Sequence, residues 1–419
     1  MYSQKDRDLL RGLAGKLSGI ANLPIQEERK VLWQRSNDLD PIRPMIWLTE
    51  LPWRECQADM PELRNQCDES LHWIENHLRY RIFCHEHLEL DQVEVPYFPI
   101  HMSCKNIGYG VEIVEETLDQ DKSSIQSHHY EPAIKDIEDI EKILFPNLEV
   151  DVEGNERTFN FIDELFGDLL PPQLIGAQGF DFSIWDQIVC WTGVTEALMD
   201  MVMRPDYIHA LMRRATDVTL KQMDQLEDAG IIYTSTPKDR VGSGAAGYTK
   251  ELPADNNGFP QKVNSFMDTW GFATAQIFGD VSPAMHEEFA INYEKEILSR
   301  CGLNYYGCCE KLHDRMDAIA KIPRLRKISV SPWCNVGVAA EKAQDKYVFS
   351  HKPNPAVVAN DAFSLVEAET DLRDRLNKSF KQGFPCEVIL KDISTIKSDI
   401  KRPIEWSKMA MKLAKEFSI

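Results

Sequence analysis

Apolar residues recur along this chain with two different spacings. Over residues 1–40 they fall three or four positions apart. Leu9, Leu10, Leu13 and Leu17 make one stripe of a helix expected over Asp6 to Ile20, and a second amphipathic helix is expected over Ile25 to Asn37. This helical extension should lid the bottom or side of the main domain. From residue 41 onward the pattern changes to short apolar runs bounded by polar residues. The runs are Pro44 to Glu50, Val93 to Ile100, Gln173 to Gly179, Gly230 to Ser235, Gly271 to Phe278, Leu303 to Glu310, Leu325 to Ser331, Lys346 to Ser350 and Cys386 to Asp392. Each reads as a strand that is apolar on both faces, which is how strands of a parallel sheet read.

Helical stripes separate the runs. Leu71, Ile74, Leu78 and Ile82 mark one within Pro61 to His87. Two more helices, rich in Met, Leu and Trp, are expected over Ser183 to Met203 and Pro205 to Ala229, with Met199, Met201 and Met203 as core packing. Ser282 caps another, with Pro283 at its first position and a buried stripe of Met285, Phe289, Tyr293 and Ile297. Further helices are expected over Phe363 to Gly383 and Pro403 to Phe417. Alternation of strand and helix implies a parallel sheet with helical crossovers. About eight or nine such units fit a (β/α)8 TIM barrel over 41–419 better than an open sheet.

Two stretches stand outside the alternation. Residues 103–170 read as an insertion after the second strand, with an acidic segment Ile134 to Phe145, a turn at Glu153-Gly154-Asn155 and a solvated His128-His129 pair. Gly242-Ser243-Gly244-Ala245-Ala246-Gly247 matches G-x-G-x-x-G, but no helix opens at its third glycine. A dinucleotide site needs a strand-turn-helix setting, so the segment is expected to be a mobile active-site loop.

The composition, 43% hydrophobic and 27% charged, supplies ample core for one large domain. The formal net charge of −20 argues against binding a nucleic-acid backbone. No apolar run reaches the roughly 18 residues of a membrane span, and Met1 to Asp8 lacks an apolar signal core, so a cytoplasmic protein with no membrane attachment is expected. The ten cysteines are scattered without C-x-x-C spacing and read mostly as small buried hydrophobes.

In a barrel the strand ends meet over one pocket. The residues at or just beyond the runs are Glu50, Trp53, Tyr97, His101, Gln178, Asp280, Cys308, Cys309, Glu310, Trp333, His351, Lys352 and Asn354. Side chains alternate along a strand, so Cys308 and Cys309 are not expected to point the same way; one is functional and the other is packed. A thiolate beside a carboxylate suits zinc, and Asp280 lies one strand-helix unit before Cys308. Glu50, Asp280, Glu310 and Lys352 are the candidates to position or protonate a leaving group. Trp53, Tyr97, Gln178, Trp333, His351 and Asn354 are the candidates to hold a substrate, and their aromatic members suit an aromatic ether or a quaternary amine.

The run of motifs from about Arg43 to the C-terminus resembles the uroporphyrinogen decarboxylase-like superfamily. The resemblance rests on Pro44 to Trp53, on Gly193, Glu196, Met199, Asp200 and Arg204-Pro205 within Trp185 to Arg214, and on Ser282-Pro283 through Phe289 and Tyr293. It implies a TIM barrel. The decarboxylases carry Arg-Gln-Ala-Gly-Arg where this chain has Thr49-Glu50-Leu51-Pro52-Trp53, so the chain looks more like the corrinoid-linked methyltransferase branch, including O-demethylating members. That branch implies methyl transfer from a small methoxylated or methylamine-type donor to a corrinoid protein, with zinc assistance. Its His-x-Cys appears here as Tyr306-Gly307-Cys308, and Asp392 and Ser394 stand where a later cysteine is expected, so Cys308 alone carries over as a ligand. No Asp-x-His-x-x-Gly motif occurs, so a separate partner protein would bring the corrinoid. Members of the group commonly pair, making a homodimer an expectation. The rival readings are a decarboxylase or lyase on the same barrel and a barrel that serves only as a scaffold.

Overall fold

The computed structural model describes residues 3–117, 128–236, 239–343 and 346–419. Helix α1 (Gln4–Ala21) starts where Ser3 caps it: the Ser3 Oγ accepts the Asp6 N–H at 3.1 Å, and the Asp6 carboxylate accepts the Ser3 N–H. Leu10, Ala14, Leu17 and Ile20 then share one buried face, packed against Leu71, Ile74 and Leu78 and against Ile162, Leu165 and Phe166. Helix α2 (Pro24–Asn37) sends Trp33 beneath the sheet, where its indole N–H donates to the Asp91 carbonyl at 2.7 Å.

The strands that place the site are β1 (Met45–Leu48), β2 (Phe98–His101), β3 (Pro172–Ile175), β4 (Phe180–Phe182), β5 (Ile232–Tyr233), β6 (Trp270–Ala273), β7 (Leu303–Tyr306), β8 (Leu325–Val330), β9 (Val348–His351) and β10 (Cys386–Leu390). Seven of them form one parallel sheet in the order β1-β10-β9-β8-β7-β6-β4. Strands β2 and β3 form a separate parallel pair, and a parallel bridge joins Ala177 to Ile232 of β5. Helices lie between most successive strands, though none separates β3 from β4, so the α/β class expected from the alternation is what the chain adopts.

Each strand of the large sheet has two different faces because side chains alternate. One face carries Ile46, Leu48, Tyr306, Ile328, Val330, Phe349, Val388 and Leu390 into the main hydrophobic core. Residues of the opposite face pack on an irregular segment, 241–252. That segment contains the glycine-rich sequence, and it is buried rather than mobile. Asn37 donates to the carbonyls of Ala246 and Tyr248, and the Trp270 indole N–H donates to the Gly247 carbonyl at 2.9 Å. The glycines give it room. A Cβ at Gly244 would lie 2.6 Å from the Tyr305 ring and 2.8 Å from a Glu387 oxygen. Below it runs a fully buried ion pair, Lys327 to Glu387 at 2.9 Å, with Lys327 also donating to the Ala246 carbonyl and Glu387 accepting the Ala245 N–H.

Three local expectations are corrected. Glu153-Gly154-Asn155 is the first turn of a helix (Val152–Phe166) that connects β2 to β3, not an isolated turn. Asp151 caps it, and the small polar residues of that first turn mimic loop composition. The helix expected over Ser183 to Met203 breaks at Gly193, whose φ of +92° suits glycine. Met199 and Met203 of its second half are exposed, and only Met201 of the three packs in the core. The side chains of His128 and His129 lie outside the described residues. No helix among the described residues is long and apolar enough to cross a membrane.

Candidate functional site at the strand ends

Sheet polarity places the ends of β1, β10 and β9 side by side, with the end of β7 on the far side of β8. The β1 end carries Glu50 with a φ of +58°, and the β10 end carries Lys391 and Asp392. The Glu50 carboxylate accepts from Arg240 at 2.6 Å and from the Asp392 N–H at 2.9 Å, and Lys391 Nζ stands 4.0 Å away. Burial alone would raise the Glu50 pKa, but Arg240, Lys391 and the Asp392 amide outweigh it and hold the carboxyl at about 2.

Lys352 follows β9 and is buried. Its ammonium donates to the Tyr305 hydroxyl at 2.5 Å, the Ser350 Oγ at 3.0 Å and the Ser350 carbonyl at 3.3 Å. All three acceptors are neutral, and among the described residues no carboxylate lies within ion-pairing distance of it. Burial pulls its pKa down to about 8. His351, one position earlier, points through the opposite face. It bonds Ser379 at 2.9 Å, and burial keeps it neutral. The expected pairing of these two residues over one pocket fails on the two-residue period of the strand.

Beyond β7 the chain turns at Gly307, whose φ is +91°. A Cβ there would meet Leu312 at 2.5 Å, so the turn requires glycine. The turn brings the two thiols together. Cys308 Sγ and Cys309 Sγ are 3.5 Å apart, whereas adjacent residues of an extended strand would have pointed oppositely. Their backbone is tied down on three sides. Ser243 donates to the Gly307 carbonyl at 2.9 Å, Ser329 to the Cys308 carbonyl at 2.6 Å, and the Glu310 carboxylate accepts the Cys308 N–H at 2.8 Å. Cys309 as a hydrogen-bond donor, together with the charges of Lys391 and Lys352, outweighs burial and brings the Cys308 thiol down to about 7. The Cys309 thiol is pushed up by that same contact.

A cavity of about 600 Å³ opens beside this row. Tyr97, Gln178, His77, His101, Arg81 and Arg240 are among the residues that line it. Arg81 is held between Glu94, at 2.6 Å, and Asp239. Gln178 donates to the Thr234 carbonyl at 2.9 Å. Arg240 both lines the cavity and grips Glu50, so it joins the cavity to the strand-end row.

Of the residues singled out from the sequence, the fold therefore gathers Glu50, Cys308, Cys309, Glu310 and Lys352 at the strand ends and sets Tyr97, His101 and Gln178 on the adjoining cavity. It does not gather the others. Asp280 is almost fully exposed and pairs with Lys311 at 3.0 Å, because β6 stops at Ala273 and a short 3-10 turn carries Asp280 outward. Trp333 is 67% exposed, and the exposed Asn354 caps the backbone of Ala356. Trp53 bonds Asn76 and packs edge-on against Tyr80 and Phe83. Arg240, Lys391 and Thr274 were not singled out. Lys391 and Thr274 stand at strand ends, so the rule that selected Glu50 applies to them equally. Thr274 donates to Glu310 at 2.9 Å.

The donor set around Cys308 does not fit zinc. Both Glu310 oxygens are taken, Asp280 points away, and two lysines face the thiol, which leaves two sulfurs where zinc uses three or four protein ligands. Among the described residues no group of three His, Cys, Asp or Glu is placed to share a metal ion. A scan of family models finds no match for this chain, and no curated protein matches it.

Proposed function

We propose that the chain is a methyltransferase that takes a methyl group from a small methoxylated or methylamine-type donor and delivers it to a separate corrinoid protein. The observation that carries this reading is Lys352, a buried ammonium bonded only to neutral oxygens beside Cys308. An ether oxygen or amine leaves a methyl group poorly unless it is protonated as the bond breaks. A general acid whose pKa lies near the working pH supplies that proton efficiently, typically for a gain of about 10²–10⁴ in rate. Lys352, at about 8, meets the requirement. The negative Cys308 thiolate keeps the ammonium charged in a dry setting. Arg240 lines the cavity and grips Glu50 at the strand ends, and the cavity with Tyr97 and Gln178 receives the donor's body. The corrinoid on its carrier protein supplies the cobalt nucleophile that accepts the methyl group. This chain binds the donor, excludes water and holds the proton at Lys352 Nζ.

The barrel belongs to the same proposal. The Asp91 N–H donates to the Ile46 carbonyl, Ala177 pairs with Ile232, and the Trp270 N–H bonds the Ser235 hydroxyl. These contacts support closing the gap between β1 and β6 through β2, β3 and β5 into a TIM-type α/β barrel with segment 241–252 inside it.

The test is to incubate the protein with a reduced corrinoid protein, or free reduced cobalamin, and a panel of methoxylated aromatics and methylamines. Demethylation of at least one donor, with a matching spectral change of the corrinoid, is expected. No demethylation by the wild-type chain across the panel overturns the reading. One observation favours a second reading: Arg240, Lys391 and Lys352 place three cations along one mouth, which suits a carboxylate. A decarboxylase would release carbon dioxide with no corrinoid present.

A further inference from the structure

We propose that Cys308 and Cys309 form a reversible dithiol–disulfide pair that a hydroperoxide closes. The inference stands apart from the methyl-transfer reading. It rests on how the chain presents two neighbouring thiols to each other and to solvent.

Adjacent residues on a strand project to opposite faces. Here the strand ends at Tyr306, and the left-handed turn at Gly307 puts both sulfurs on one side, 3.5 Å apart. Closing that gap to the roughly 2.0 Å of a sulfur–sulfur bond brings the sulfurs about 1.5 Å nearer and completes an eight-membered ring through the peptide that joins the two residues. The backbone does not drift away from this arrangement, because Ser243, Ser329 and Glu310 each hold part of it. Access is also provided. All ten cysteines are described, and Cys309 is the exposed one among them; seven others besides Cys308 lie buried or partly buried without a sulfur partner, and Cys386 reaches only oxygens.

The chemistry balances with a hydroperoxide as oxidant. One thiolate attacks the terminal oxygen, the O–O bond breaks, and a sulfenic acid forms as the alcohol leaves with a proton. The second thiol attacks the sulfenic sulfur, the S–O bond breaks, and water leaves as the disulfide forms. Two thiols lose two electrons in total, and the hydroperoxide is reduced to alcohol and water. Adjacent Cα atoms lie about 3.8 Å apart, short of the usual disulfide span of about 4.4–6.8 Å, so the bond is strained and opens readily to a small thiol. Closure removes the Cys308 sulfur from its place beside Lys352 and Lys391.

The full reduced chain is treated with tert-butyl hydroperoxide, unfolded in an alkylating agent and digested with trypsin. The peptide 301–311 holds Cys301, Cys308 and Cys309. It is expected to gain a single alkyl group, on Cys301, to lose two hydrogen masses, and to regain full alkylation after dithiothreitol. In Cys309→Ser the same treatment should stop at a sulfenic acid on Cys308, captured by dimedone. Full alkylation of the treated wild-type peptide, over-oxidation to sulfinic acid in place of the disulfide, or a bridge from Cys308 to any other cysteine would overturn the proposal.

Discussion

Replacing Lys352 with methionine should make the protein more stable and less active. The side chain is 4% exposed, and its ammonium touches three neutral oxygens. Folding moves its pKa from 10.5 down to about 8. Between those two values the unfolded chain holds the proton and the folded chain does not, so this residue makes stability rise with pH across that window. At pH 7 both states are charged, and the folded state bears the whole cost of burial. At about 1.4 kcal/mol for each tenfold change in proton affinity, the cost is about 3 kcal/mol. Methionine keeps the length and apolar stem but removes the charge. It also strands the Tyr305 and Ser350 oxygens, a loss of about 1 kcal/mol. Lys352→Met should therefore gain about 2 kcal/mol at pH 7, and the advantage should shrink to near zero by about pH 9.5. Urea unfolding followed by tryptophan fluorescence, in reductant, at several pH values reads both effects. A variant that loses stability at pH 7, or whose difference from wild type does not change with pH, would refute the placement of Lys352 as a buried, unpaired cation. Under the proposed function, the same variant should lose about 10²-fold or more in methyl transfer.

Three further outcomes follow from the same geometry. Methyl transfer should fall as pH rises through about 8, because the acid form of Lys352 is lost, and Cys308→Ser should move that basic limb to lower pH by removing the negative charge that holds the proton; a pH–rate profile on both proteins decides it. Glu387→Ala should cost about 3–5 kcal/mol, because it leaves the fully buried Lys327 without its partner, and a loss under about 1 kcal/mol in urea would contradict the pairing. Gly244→Ala should cost about 1–3 kcal/mol through its contacts with Tyr305 and Glu387, whereas a mobile loop would accept alanine at no cost; thermal unfolding separates the two.

Much of the frame was readable because strands of a parallel sheet are apolar on both faces. The runs at Met45–Leu48, Trp270–Ala273, Leu303–Tyr306, Leu325–Val330 and Cys386–Leu390 all form strands of one sheet. The helix Val152–Phe166 escaped because Gly154 and Asn155 in its first turn look like a loop, while its buried residues Ile162, Leu165 and Phe166 come late in the segment. The glycine-rich stretch escaped for a different reason. Glycine signals either freedom or crowding, and only the positions of Tyr305, Trp270 and Glu387 around it show that crowding is the cause. Nothing local to residues 242–247 carries that information.

The site was half-readable, and the divide follows where each strand stops. Glu50, Cys308 and Lys352 sit one or two positions past a strand, so a rule based on strand ends finds them. Asp280 failed because the apolar run continues past the real end of β6 at Ala273 into a 3-10 turn. His351 and Lys352 are neighbours in sequence, yet one face of β9 sends the histidine to Ser379 and the other sends the lysine to Tyr305. Face assignment needs a register, and the register comes from neighbours: Ser350 lies opposite Glu387, and Lys327 opposite both Tyr305 and Val348. Those pairings put Tyr305, Lys327, Ser350, Lys352 and Glu387 on one face and build a polar interior. Arg240 belongs to no strand at all. It enters the site only because segment 241–252, anchored by Asn37 and Trp270, positions the chain that precedes it within reach of Glu50. Exchanging Arg240 for a residue that cannot grip Glu50 therefore removes a side chain that belongs to the cavity wall and the strand-end row at once, a link that no one-dimensional pattern anticipates.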